Sequence, residues 1–256
     1  MKQRHSVLIS ILLILGILAG CASLPNMSML TPVKKPDVGP TGAPVDAKPN
    51  PPFWHRFLSP PTQLYDLEAI AGSLFKGVNK ERWEQAQSSL TNLQNVWDQT
   101  KPLLGDMKGV DAADSAMTKL SASVAAREVT ASYENLIAFM AAISDIGKSF
   151  KLSPLSDIVA VGNTARNVAF YTEDKNWLKT ASKVKELEGT WKQVRPSMEQ
   201  IGIFGELTQA HSLVKELKDA VNAENKSAIE EKLANLNESM GRIRQFYYGN
   251  RVGGGD

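Results

Sequence analysis

Cysteine occurs once in this chain of 256 residues, and histidine three times. One thiol cannot build an internal disulfide framework or a multi-cysteine metal site. So few imidazoles leave little for zinc sites or His-based triads. Neither charge sign prevails: 29 Lys+Arg face 27 Asp+Glu. No strong field therefore draws nucleic acid, and none is expected as a partner. Sustained alternation of β-branched and polar residues is missing, which argues against a sheet. Hydrophobic residues at 43% and charged residues at 22% are ordinary for a folded domain.

Long apolar runs are confined to the start of the chain. Lys2, Arg4 and His5 form a basic beginning, and residues 7–18 are apolar apart from Ser10 and Gly16. This run is shorter than the roughly 20 residues of a spanning helix, so residues 1–20 read as a signal peptide. Small residues follow, then the lone Cys21.

Leu18-Ala19-Gly20-Cys21 resembles the lipobox of bacterial lipoproteins. The resemblance implies cleavage before Cys21, a diacylglycerol on its thiol, and a mature chain held in the membrane by acyl chains such as palmitate. Each buried methylene contributes about 0.8 kcal/mol, so two or more chains anchor stably. It also implies the extracytoplasmic side of the cell envelope. Ala22, where an Asp would retain a lipoprotein at the inner membrane, points to the outer membrane in a diderm organism. Loss of Lys2 and Arg4 leaves 27 basic and 27 acidic side chains.

Residues 21–61 form the lipidated cysteine and a tether. Ten of the thirteen prolines lie there, with Gly39 and Gly42 among them. Proline removes backbone donors and blocks helix, so a spacer is expected. Phe53-Trp54-His55-Arg56-Phe57-Leu58 interrupts it, either as an interfacial membrane contact or as a segment packing back onto the body.

From 62 to 248 the texture is helical, rich in Ala, Leu, Lys, Glu and Gln. Ser153-Pro154 and the capping-box pattern Ser227-x-x-Glu230 mark helix starts. Gly147, Gly202 and Gly249 mark possible ends. One helical region is expected over about 112–147, with counterparts at 204–222 and 226–247.

A duplication stands out. Trp83-x6-Leu90-x2-Leu93-x3-Trp97 recurs as Trp177-x6-Val184-x2-Leu187-x3-Trp191, followed by Lys101-Pro102 and Arg195-Pro196, all 94 positions apart. Leu64, Leu67, Ala71 and Leu74 match Ile158, Val161, Ala165 and Val168 at the same offset. The expected architecture is an all-α bundle, with coiled-coil-like stripes, of two sequence-related halves, 62–155 and 156–249, and a Gly-rich flexible tail, 250–256. Offsets of 0, 7, 10 and 14 put each tryptophan set on one helical stripe. Trp83, Trp97, Trp177 and Trp191 read as core, with an aromatic cage for a ligand or partner as the alternative. Pro102 and Pro196 are expected to end or kink their helices.

Catalytic readings find little support. Ile146-Gly147-Lys148-Ser149 lacks the upstream glycine and strand of a phosphate-binding loop. His211 has no nucleophile elbow beside it. Asp111 with Asp114, and Glu186 with Glu188, read as solvated or helix-start carboxylates. Phe246-Tyr247-Tyr248 reads either as a partner contact or as a C-terminal latch. No catalytic residue, cofactor or metal is expected. The expectation is a lipid-anchored envelope protein with a scaffold or adaptor role, bound to the membrane through Cys21 and to a protein partner. The alternatives are a helical binding module for a small apolar or envelope-derived ligand, and an envelope enzyme.

Overall fold

The computed structural model describes residues 57–252, with side chains as far as 249. The chain divides into two units, 1–49 and 50–256. The expected signal peptide, Cys21, the expected tether up to residue 56 and residues 253–256 lie outside the described residues. Phe57 is half-buried and Leu58 is exposed.

All regular structure among the described residues is helical: α1 (Gln63–Asn79), α2 (Trp83–Leu104), α3 (Val110–Ala125), α4 (Val129–Gly147), α5 (Leu155–Glu173), α6 (Trp177–Glu199), α7 (Phe204–Asn222) and α8 (Lys226–Val252). None is long and apolar enough to cross a membrane. The expected stripes face inward. Leu64, Leu67, Ala71 and Leu74 of α1 are buried, as are Leu90, Leu93 and Trp97 of α2. Ile158, Val161 and Val168 of α5 and Val184, Leu187 and Trp191 of α6 are buried as well. One continuous hydrophobic cluster joins them.

Consecutive helices pair through turns of one design. Three residues link α1 to α2, α3 to α4, α5 to α6, and α7 to α8. The middle residue of each adopts a left-handed conformation: Glu81 (φ 52°), Arg127 (φ 56°), Lys175 (φ 53°) and Glu224 (φ 50°). Its N–H bonds back to Val78, Val124, Thr172 or Val221. The next N–H reaches the carbonyl five residues earlier, at Gly77, Ser123, Tyr171 or Ala220. This is the Schellman closure, which satisfies carbonyls that a helix end leaves unpaired. So short a turn between packed neighbours makes each pair an antiparallel hairpin.

The hairpins pack with α1, α4 and α5 mutually in contact and α8 on α5. α2 touches α3, and α6 touches α7.

Three expectations need correcting. The region near 112–147 is two helices, broken at 126–128 by the left-handed Arg127. Ser227 does not cap α8; Asn225 does, its Oδ1 accepting the Ala228 N–H at 3.0 Å, so Ser227 falls within the first turn. Gly249 does not stop α8, which continues to Val252 and so crosses the boundary expected at 249. Pro102 and Pro196 stand inside α2 and α6, close to their ends. The carbonyls they leave unpaired belong to Asp98 and Lys192, residues at exposed positions where water can serve them.

A left-handed conformation strains any residue with a Cβ, whereas glycine adopts it freely. Replacing Glu81, Arg127, Lys175 or Glu224 with Gly is therefore expected to stabilise the fold by roughly 0.5–1 kcal/mol each, after the added unfolded-chain entropy is subtracted. Thermal denaturation of the single and quadruple variants measures this.

Candidate functional site

The two inner tryptophans are core residues with one polar tie each. Trp97 is 2% exposed and its ring meets Phe139 edge-on at 5.7 Å. Its Nε1–H donates to Asp114 Oδ1 at 2.7 Å, and Lys101 holds the other carboxylate oxygen. Burial opposes the Asp114 charge, but the bonds from Lys101 and Trp97 outweigh it and hold the carboxyl below its ordinary range. Trp191 is 1% exposed, and its Nε1–H donates to His211 Nδ1 at 3.2 Å. Trp83 and Trp177 are half-buried first residues of α2 and α6.

The open feature is a furrow between α1 and α8, floored by α5. Its wider part encloses about 590 Å³, and an adjoining part about 460 Å³. Glu68, Ala69, Ile158, Asn237 and Met240 line both parts, so they form one channel. No tryptophan lines either part. At one end Lys80 bridges Glu173 and Glu230, and Lys226 also binds Glu173 at 2.9 Å. Burial works against the Lys80 ammonium, but its two carboxylates prevail and raise its pKa. At the other end Tyr65 meets Tyr248 edge-on at 5.2 Å and Tyr247 at 6.4 Å, and Arg244 Nη1 donates to the Tyr65 carbonyl at 3.3 Å. From Tyr65 to Lys80 the furrow runs about 22 Å along α1 at the helical rise of 1.5 Å per residue.

A buried ion pair forms the floor. Arg166 Nη1 donates to Glu68 Oε1 at 2.8 Å, Nη2 to Glu68 Oε2 at 3.1 Å, and Nη2 also to Asn163 Oδ1 at 2.7 Å. The two side chains are 7% and 10% exposed. Burial pushes the Glu68 carboxyl above its usual range, and Arg166 pulls it part of the way back. Gly162 makes the pair possible, because a Cβ there would collide with Glu68 Oε1. Arg166 Nε is buried without an acceptor among the described residues. No group of three or more metal-ligating side chains occurs among the described residues.

The structure scatters the residues singled out in the sequence. Tyr247 is buried and Tyr248 half-buried against Tyr65, while Phe246 is 40% exposed. Gly147 ends α4, and Lys148 pairs with Asp145 at 2.6 Å. Glu186 pairs with Lys183 at 2.8 Å on α6. Sequence reasoning missed Glu68, Arg166 and Gly162, which carry no motif. The duplication offset could have flagged them, since Glu68 and Gly162 are 94 positions apart.

Two predictions arise. Arg166→Leu leaves Glu68 buried without its partner and should cost about 3–5 kcal/mol in denaturant unfolding, whereas Glu68→Leu combined with Arg166→Leu should be near neutral. Asp114 has a folded pKa below its unfolded value, so its stabilisation is present above the unfolded value of about 3.9 and is lost as pH falls through the lower folded value. The stability gap between the native chain and Asp114→Asn should therefore shrink from pH 6 towards pH 3, read by denaturant titration.

No family model matches the chain, and no matching curated protein or solved structure was found.

Proposed function

We propose that this is a lipid-anchored protein of the cell envelope whose helical body acts as a scaffold or adaptor, holding a protein partner near the membrane. The observation that carries the reading is Leu18-Ala19-Gly20-Cys21 at the end of a signal-like apolar run, followed by forty residues holding ten prolines before the helical body begins. Acyl chains on Cys21 would supply the anchor, and the proline-rich segment the reach. Ala22 favours the outer membrane in a diderm organism. The reading contains no catalytic step.

The body belongs to the same proposal as a duplicated unit. α2 and α6 open at tryptophans 94 positions apart, and α3 and α7 open at Val110 and Phe204 with the same spacing. The four hairpin turns share one length and one left-handed centre. α4 and α8 start at Val129 and Lys226, 97 positions apart, and α7 is three residues longer than α3. An insertion of nearly one turn keeps the same helix face inward. It also accounts for the indole partners, Asp114 on α3 and His211 on α7, which stand 17 and 20 residues after their tryptophans.

A second reading, a binding module for a small ligand, is favoured by the furrow, whose wider part falls within the 300–1,000 Å³ usual for ligand sites.

Cys21→Ala tests the anchor: it should move the protein from the membrane fraction to the soluble fraction, and persistent membrane association would contradict it. An experimental structure tests the duplication: residues 62–155 should superpose on 156–249 with one gap within α7.

A further inference from the structure

We infer that the furrow between α1 and α8 is a binding site for a small ligand with a flat apolar ring system and an anionic group. The inference rests on the duplication proposed above and deepens the second reading.

Under the offsets of 94 and 97, the furrow has a counterpart that is closed. α8 corresponds to α4, and α1 to α5, so the gap between α8 and α1 corresponds to the junction of α4 with α5. There the two helices touch directly. Tyr133 of α4 stacks on Phe170 of α5, with ring centroids 3.9 Å apart and planes at 5°. The Tyr133 hydroxyl donates to Asn167 Oδ1. Gly147 lets the helices close, since a Cβ there would stand 3.0 Å from Ser156 N.

Each closing residue is replaced in the furrow. Glu230 stands for Tyr133, Lys76 for Phe170, Ser73 for Asn167 and Arg244 for Gly147. All four replacements line the furrow. Small side chains complete the walls, with Ala69 and Gly72 on α1 and Ala234 on α8. A Cβ on Gly72 would meet nothing within 4 Å, although a mid-helix glycine weakens α1. The furrow is thus the junction from which a stacked aromatic pair has been taken away. An aromatic ring system fits the apolar floor that Ile158, Val161 and Ala165 provide.

The anionic group follows from the uncompensated donors. Among the described residues, Lys76 and Arg244 pair with no carboxylate, while Glu230 is held by Lys80 and Glu238 by Arg242. Arg166, 6% exposed, lines the furrow with its Nε–H unpartnered. Its guanidinium is already neutralised by Glu68, so Lys76 takes the anion.

The test uses the chain from residue 21 onwards carrying Cys21→Ala. The probes are 8-anilinonaphthalene-1-sulfonate and its uncharged parent, N-phenyl-1-naphthylamine, titrated by fluorescence. The sulfonate should bind at one site, about tenfold more tightly than the neutral dye. Lys76→Glu should erase that difference. Lys76→Phe combined with Glu230→Tyr transplants the closing pair; it should weaken both dyes about tenfold or more and raise Tm. Unchanged dye affinity in a transplant variant that keeps its helical circular dichroism would overturn the proposal. So would saturation at several equivalent sites, or equal binding of the two dyes by the native chain. If the halves fail to superpose while both dyes bind and Lys76→Glu acts as expected, the duplication falls and the site stands.

Discussion

The pairing of Glu68 with Arg166 is the joint on which the body depends. It links residues 98 positions apart and ties α1 to α5, from the first and third hairpins. Burying two charges costs several kcal/mol each, and the forked geometry with Asn163 on the guanidinium recovers that cost only at one register. Gly162 sets the register by giving the carboxylate its space. Slide α1 by one turn and the carboxylate meets a side chain where it now meets none. The pair therefore fixes how α1 and α5 sit more than how tightly they hold.

On either side of that joint the helix contacts differ. α4 meets α5 with Tyr133, Leu136 and Met140, all buried. α8 faces α1 with Glu230, Leu233 and Asn237, none of them buried. Apolar closure on one side and an open, lined channel on the other follow from these few side chains. The ends of the channel are nonetheless pinned, by Lys80 with its carboxylates and by the tyrosine cluster around Tyr65. Its width is thus set by fixed ends rather than by loose packing.

Much of the helical framework was legible in the sequence. The heptad-like stripes around Trp97 and Trp191 announced α2 and α6, because apolar periodicity is a strong local signal. The turns were not legible. Their left-handed centres are Glu, Arg, Lys and Glu, where a reader looks for glycine, so the break at Arg127 passed as continuous helix. Asn225 was overlooked beside the more formulaic Ser227, although either side chain can cap. The furrow was invisible for another reason. Glu68 and Arg166 look like surface charges on amphipathic helices, and only the packing of α1 on α5 buries them. Asp114 and His211 were noted as titratable groups, but their attachment to indoles depends on which helices pair.

The hairpin turns also govern the order in which the chain can assemble. Each closes through hydrogen bonds spanning no more than five residues, so every hairpin can form from local contacts at little loop-closure cost. The joint between Glu68 and Arg166 must wait for the whole intervening stretch. Until then both charges remain hydrated, so their dehydration waits on a contact between distant helices. The dehydration of this pair is thus a long-range event, set apart from the local closure of the turns.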